Sequence, residues 1–152
     1  MTAPSTSPDS VTSVVIDAAL QQQIFAQLQT NYPNEGGGFL LGSRNAAIRL
    51  RESRPVLNTF SSEEQYHRYA MTPLDWAKLE DEADAAGLTI VGYYHSHPNA
   101  PAIPSEYDRD HALPNFCYLI TSVRAGVAVE CRAWQLSTDR ARFDELLLTV
   151  LA

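Results

Sequence analysis

The sequence predicts a single domain of the α/β (α+β) class, in which helices flank a mixed β-sheet. Segments with apolar residues at helical spacing are interspersed with short apolar runs typical of strands, and this mixture favours a layered architecture. The chain has 152 residues, of which 45% are hydrophobic and 19% are charged. That is enough for one core and too little for two ordinary domains. We expect a disordered tail over residues 1–10 and one domain over residues 11–152.

The first half of the chain predicts a helix followed by strands. Asp17 can cap a helix in which apolar residues recur at helical spacing, namely Leu20, Ile24 and Leu28, and Pro33 ends it. The glycines of the segment EGGGFLLG, residues 35–42, permit close approach of backbones. The remaining predicted segments are, in order, a buried strand beginning over Phe39–Leu41, a strand over residues 46–57, a loop over residues 58–66 and extended chain over residues 66–71.

The second half predicts three further helices and three strands. Thr72 and Pro73 begin a helix that closes at Gly87. The segments that follow are a strand over Leu88–Tyr94, a proline-rich loop, a helical start at Ser105, strands over residues 116–123 and 127–135, and a last amphipathic helix over residues 140–151 with Phe143, Leu146, Leu147 and Val150 on its apolar side. Cys117 and Cys131 are expected to be reduced, buried, diagonal neighbours on one sheet face.

The charge balance excludes some classes of partner. The chain has 11 basic and 18 acidic residues and a net charge of -7, which gives no electrostatic basis for binding nucleic acid or an anionic membrane nonspecifically. No apolar run approaches the roughly 20 residues of a spanning helix, and no signal peptide is recognisable. We therefore expect a soluble, cytoplasmic protein with no nucleic-acid or membrane partner, either a monomer or a homodimer.

The segment HSHPNAPAIPSEYD, residues 95–108, carries the predicted chemistry. His95 and His97 project to the same side of a strand because side chains alternate with period two. Ser105 and Asp108 share one face of a helix start. Taken separately, strand-end histidines are often ordinary surface or core residues, and Ser-x-x-Asp resembles a capping box. Together, two imidazoles and one carboxylate make the three-ligand set of a catalytic zinc site.

Glu35 is the candidate general base. Zinc lowers the pKa of the water that it binds, but the reaction still needs a group that takes the proton and delivers it to the leaving amine. Glu35 immediately precedes the three glycines, whose backbone lets a carboxylate lie close to a metal without ligating it. The alternative is an exposed loop carboxylate. Ser105 could donate a hydrogen bond to the oxyanion that forms when water adds to a carbonyl.

The order Glu35, HSHP at residues 95–98, Ser105 and Asp108 resembles the JAMM (MPN-plus) metallopeptidase family in its short bacterial form, from about Val14 to Leu136. The resemblance implies a JAMM/MPN-like mixed sheet with cytidine-deaminase-like layering. It also implies one zinc ion on His95, His97 and Asp108, with Glu35 as general base and acid and Ser105 as oxyanion donor. Family members cleave peptide or isopeptide bonds after the C-terminal glycine of ubiquitin-like or sulfur-carrier proteins, so a Gly-Gly tail is the expected partner. Many bacterial relatives have EACG or ECCG where this chain has EGGG.

Two other functions fit the sequence less well. A noncatalytic scaffold of the same fold loses its ligands, whereas all five positions are kept here. A zinc nucleobase deaminase needs H-x-E followed by P-C-x-x-C, and this sequence has neither. His111 lies three residues after Asp108 and is sterically able to be a fourth ligand, but a surface or supporting role is favoured.

Overall fold

Seven strands and three helices form from residues 13–56 and 73–152, the part of the chain that the computed structural model describes. In chain order the elements are β1 (Ser13–Asp17), α1 (Ala18–Asn31), β2 (Gly37–Arg44), β3 (Ile48–Pro55), α2 (Pro73–Ala85), β4 (Thr89–Pro98), α3 (Glu106–His111), β5 (Cys117–Arg124), β6 (Val127–Leu136) and β7 (Phe143–Leu151). The predicted tail, the loop over residues 58–66, the extended segment over residues 66–71 and the cap at Thr72 lie outside the described residues. None of the helices in the described ranges is long and apolar enough to cross a bilayer.

The strands form one mixed sheet, in the order β1-β3-β2-β4-β5-β6-β7, and β7 returns to β1 so that the sheet closes. The pairs β1–β3, β1–β7 and β4–β5 are parallel, and the other pairs are antiparallel. The predicted mixed sheet with helices is therefore confirmed. Its closure was not predicted.

Two apolar clusters lie on the two faces of this sheet. The first takes side chains from α1 and from all seven strands, so α1 lies inside the curve of the closed sheet. The second packs α2, through Leu79 and Ala83, against the outer face. Neighbouring residues Tyr93 and Tyr94 of β4 belong to opposite clusters, because side chains alternate along a strand. Burial on both faces explains why β2 and β4 read as continuous apolar runs.

The helix predicted over residues 140–151 is wrong, because this segment is the strand β7. It pairs in parallel with β1 along Ser13–Asp17 and antiparallel with β6. Without it, β1 and β6 would each expose a row of unpaired backbone groups. Leu146 is buried and packs with the first cluster, as does the half-buried Leu148, whereas Leu147 is 69% exposed. Burial that alternates between successive residues is typical of a strand.

The two cysteines lie on one sheet face, as predicted, but they are not diagonal neighbours. Cys131 pairs with Thr121, and Cys117 pairs with Gln135, because the register shifts between Ser122 and Val123. Both thiols are free, Cys117 is buried and Cys131 is half-buried. Burial raises the pKa of Cys117 to about 12 and that of Cys131 to about 11.

Candidate metal centre

Strand β4 positions both histidines. It runs through them to Pro98, beyond the predicted end at Tyr94, and is paired with β2 on one side and β5 on the other. The His95 and His97 Nε2 atoms are 3.2 Å apart, so both rings point to the same place, as predicted. His95 is fully buried, and 12% of the His97 side chain is exposed. A strand paired on both sides holds the two rings in a fixed relation.

Asp108 brings a carboxylate to these rings from α3. Its Oδ1 lies 3.3 Å from His95 Nε2, and its Oδ2 lies 3.1 Å from His97 Nε2. The predicted capping box at Ser105 is present: the Asp108 backbone N–H donates to Ser105 Oγ at 3.0 Å, and the Ser105 backbone N–H donates to Asp108 Oδ2 at 2.9 Å. The cap and the cluster are thus one arrangement, because the interactions that begin the helix also direct the carboxylate towards the histidines.

The charges in the cluster support one another. Burial raises the pKa of Asp108, but the neighbouring His95 charge and the hydrogen bonds from His95, His97 and Ser105 outweigh it, and the pKa lies well below its usual range. Burial lowers the pKa of His97, but the hydrogen bond to Asp108 and the Asp108 charge raise it by more. The Pro101 carbonyl and the Glu35 charge add to this rise, so the pKa of His97 lies above its usual value. Asp108 is therefore an anion held against two imidazoles.

The three ligand atoms of His95, His97 and Asp108 lie within 4.8 Å of one another, which makes these residues a group able to hold a metal ion. Two imidazole nitrogens and a carboxylate oxygen are donors that zinc accepts. His97 Nδ1 lies 2.9 Å from the Pro101 carbonyl, so in the neutral ring Nδ1 donates and Nε2 keeps its lone pair towards the cluster. The donor set fits the predicted metal.

Glu35 lies beside His97 and is only 8% exposed. Ser96 fixes this position, since its backbone N–H donates to the Gly36 carbonyl at 3.0 Å and its Oγ accepts from the Gly36 N–H at 2.9 Å. Gly37 pairs with His95, and the same antiparallel register carried two residues further brings Glu35 opposite His97. The charge of Glu35 also acts on the pKa of His97. The alternative of an exposed loop carboxylate is therefore wrong.

The expected close approach at the glycines occurs at Gly37. A Cβ there would lie 2.7 Å from the Tyr94 carbonyl oxygen and 2.7 Å from Tyr93 Oη. Glycine at this position lets β2 approach β4, which is the pairing that places Glu35.

Ser105 stands at the solvent side of the cluster. Ser105 is exposed. Because its Oγ accepts a hydrogen bond from the Asp108 backbone N–H, its hydroxyl proton remains available for a hydrogen bond to a substrate. It borders an open cleft of about 420 Å³, lined also by Trp134, Phe143 and Arg109. His111 ends α3, but its side chain is outside what the structure describes.

Sequence reasoning missed Ser96. It lies between the two histidines in the motif and, by strand alternation, on the other face. Only the pairing of β2 with β4 reveals that it holds the Glu35–Gly36 segment. The HSHP motif itself is the signal that could have found it.

The family described as prokaryotic homologs of the JAB domain matches residues 17–137, a range that contains the whole cluster. A desampylase of Haloferax volcanii is 34% identical over 91 residues, which are 59% of this chain and 63% of that protein. A desampylase of Pyrococcus furiosus is 37% identical over 114 residues, 74% of each chain. A probable TtuB-protein conjugate cleaving protease of Thermus thermophilus is 30% identical over 105 residues, 69% of this chain and 67% of that one.

Solved structures show the same fold. A protein of Salinibacter ruber aligns with TM-score 0.69 and 36% identity over 89% of this chain and 90% of that one. A protein of Desulfitobacterium hafniense aligns with TM-score 0.73 and 25% identity over 90% of this chain and 92% of that one. A JAB1/MPN domain protein of Archaeoglobus fulgidus, 17% identical, aligns with TM-score 0.54 over 92% of this chain and 99% of that one. This last likeness concerns the fold alone.

Proposed function

Because this chain belongs to the family of prokaryotic homologs of the JAB domain, we propose that it is a zinc metallopeptidase or isopeptidase. It hydrolyses the bond after the C-terminal glycine of a ubiquitin-like or sulfur-carrier protein. The observation that carries the proposal is the convergence of His95, His97 and Asp108 on one point, with the buried Glu35 beside them. The names of the relatives, desampylase and conjugate cleaving protease, agree with this substrate class.

His95, His97 and Asp108 would hold the zinc ion. When bound, zinc supplies a Lewis acid that polarises the scissile carbonyl and makes water a better nucleophile near neutral pH. The protein supplies a fixed set of donors, since the histidines belong to a doubly paired strand and the carboxylate to a capping box. That rigidity is what a metal site needs to keep its geometry through the reaction.

Glu35 moves the proton. As general base its carboxylate takes a proton from the attacking water, and as general acid it gives that proton to the nitrogen of the leaving amine when the C–N bond breaks. Ser105 donates its hydroxyl proton in a hydrogen bond to the oxygen of the scissile carbonyl, where negative charge develops. The steps balance: the water oxygen forms the new C–O bond, the C–N bond breaks, and the two products are a free carboxyl terminus and a free amine, with the Glu35 carboxylate regenerated.

A glycine-ended tail suits the restricted access to the cluster. Among the described residues of the site, His95 is fully buried and Asp108 is 3% exposed, whereas His97 is partly exposed and Ser105 is exposed. A substrate is therefore expected to approach from the side of His97 and Ser105, and glycine, which has no side chain, needs the least room there. The predicted cytoplasmic location is part of this proposal.

Two measurements test the proposal. Elemental analysis of protein purified without chelator should find about one zinc per chain in the wild type and little in His97→Ala. A ubiquitin-like protein fused through Gly-Gly to a reporter should then be cleaved after the second glycine, and a chelator should stop the cleavage. Glu35→Gln should lower the rate by about 100-fold or more while keeping the zinc.

Glu80→Gln is the matched control, because Glu80 is an exposed glutamate of α2 outside the cluster; it should cleave like the wild type. Undiminished cleavage by Glu35→Gln would remove Glu35 from the mechanism. Wild-type protein that neither contains nor takes up zinc would instead be the noncatalytic scaffold.

A further inference from the structure

The first part of the loop between the two ligand segments, residues 99–102, is held by a backbone hydrogen bond from the Asn99 N–H to the Val123 carbonyl at 2.8 Å and by side chains from the neighbouring strands. Ser122 Oγ in β5 donates to the Ala100 carbonyl at 2.6 Å. From β6, Trp134 Nε1 donates to the Ala102 carbonyl at 3.0 Å, and Glu130 Oε1 accepts from the Ala102 N–H at 3.2 Å. The residues before and after Pro101 are therefore both anchored to the sheet.

Pro101 itself contacts the metal cluster, since its carbonyl oxygen lies 2.9 Å from His97 Nδ1. This carbonyl has no independent support from a strand ladder, because the loop lies outside the strands. Its position depends on the peptide groups at Ala100 and Ala102. Ser122 is fully inside the protein and pairs directly with His97 in the β4–β5 register, so one residue lies beside the ring and also holds the loop that contacts it.

We infer that Ser122 and Trp134, assisted by Glu130, are positioning residues of the metal centre. They hold the Pro101 carbonyl against His97 Nδ1 and thereby fix both the orientation and the tautomer of the His97 ring. This inference rests on the proposed function only in that it takes the cluster to bind a metal ion.

The chemical reason lies in the imidazole ring. A neutral imidazole has one N–H donor and one lone pair, so a carbonyl fixed at Nδ1 requires the proton there and leaves Nε2 as a ligand. If the carbonyl moves away, the tautomer with the proton on Nε2 becomes populated, with Nε2 facing the Asp108 carboxylate at 3.1 Å. That tautomer blocks metal binding at Nε2 until the proton moves. Loss of such a supporting contact typically costs about 10- to 100-fold in metal affinity.

The test uses the full-length protein with Ser122→Ala and Trp134→Phe. Trp134→Phe keeps an aromatic ring in the cleft and removes only the Nε1 donor, so it remains informative if Ser122→Ala fails to fold. Zinc affinity, measured by competition with a chromophoric chelator, should fall about 10-fold in each variant. Long-range ¹H–¹⁵N NMR of the zinc-loaded protein should show a His97 Nδ1 proton that is protected from exchange with water in the wild type and exchanges faster in both variants.

Two controls separate positioning from a general loss of packing. Ser53→Ala removes another buried serine hydroxyl, in β3 and away from the loop, and should change neither readout. Glu130→Gln keeps the oxygen that accepts from Ala102 and should bind zinc like the wild type, whereas Glu130→Ala should bind it more weakly.

Folded Ser122→Ala and Trp134→Phe proteins with wild-type zinc affinity and an equally protected His97 Nδ1 proton would overturn the inference. The outcome is independent of catalysis, because neither readout uses a substrate. A wild type that binds zinc but cleaves no Gly-Gly fusion would contradict the proposed function and leave the positioning result standing. A wild type that bound no zinc would contradict both the inference and the proposed function.

Discussion

Replacing Ser105 with glycine separates two roles that its side chain combines. Ser105 Oγ accepts from the Asp108 backbone N–H at 3.0 Å, which caps α3, and its hydroxyl proton is free to reach a substrate. A third interaction does not involve the side chain: the Ser105 backbone N–H donates to Asp108 Oδ2 at 2.9 Å. This bond survives the substitution, so the carboxylate should stay directed at the histidines.

The expected magnitudes differ for the two roles. Alanine at an N-cap costs about 1 kcal/mol relative to serine, whereas glycine costs only a few tenths. Loss of one oxyanion donor lowers kcat by about 10²- to 10³-fold. Ser105→Gly should therefore fold with nearly wild-type stability, keep its zinc and lose about 100-fold or more in kcat. Ser105→Ala should lose as much kcat and about 1 kcal/mol of stability besides.

The assay combines kcat on a Gly-Gly fusion, zinc content and urea unfolding for each variant. Ser105→Thr keeps a hydroxyl that both caps and donates, and it should stay close to the wild type in all three measurements. A Ser105→Gly protein with wild-type kcat would refute the reasoning and reduce Ser105 to a helix cap. A Ser105→Gly protein that loses zinc would show that the side chain, not the backbone bond, directs Asp108.

Three further outcomes follow from the fold and the cluster. Leu146→Ala should lower the free energy of unfolding by about 2 to 5 kcal/mol, because Leu146 is buried, whereas Leu147→Ala should lower it by less than about 0.5 kcal/mol, because Leu147 is exposed. Equal losses of stability in urea unfolding would contradict the assignment of β7 as a strand. Burial raises the pKa of Cys117 to about 12 and that of Cys131 to about 11, so both thiols should resist iodoacetamide at mildly alkaline pH in the folded protein, because almost no thiolate is present. Rapid labelling would show that the closed sheet opens there. Zinc at about 100 times its dissociation constant should raise the unfolding free energy of the wild type by about 2.7 kcal/mol, and a similar rise in His97→Ala would mean that zinc binds elsewhere.

The parts of the site that sequence could predict are those decided over a few residues. His95 and His97 share a side because a strand alternates with period two, and no other part of the fold is needed to know it. The capping box of Ser105 and Asp108 is equally local, since both partners lie in one turn. Helix α1 follows in the same way from the spacing of Leu20, Ile24 and Leu28, all three of which are buried.

Glu35 shows where local reasoning ends. Its position before the glycines predicts a close approach to the metal only in combination with the histidine motif, and without that motif an exposed loop carboxylate would be favoured. The burial of its side chain depends on Gly37 pairing with His95 and on the two hydrogen bonds between Gly36 and Ser96. Pairing between segments distant in sequence leaves no periodic signal in either segment alone.

The helix predicted at the end of the chain is wrong for the same reason, because the structure of this segment also depends on pairing with distant strands. Apolar residues at 143, 146, 147 and 150 fit one side of a helix, and the run over residues 146–151 fits a strand as well, so periodicity gives no decision. The decision comes from β1 and β6, because this segment pairs with the backbone groups along the edges that β3 and β5 leave open. The same β6 carries Trp134, which holds the loop at Pro101. Closure of the sheet by β7 therefore supports the strand on which the proposed orientation of His97 depends, although β7 contributes no ligand of its own.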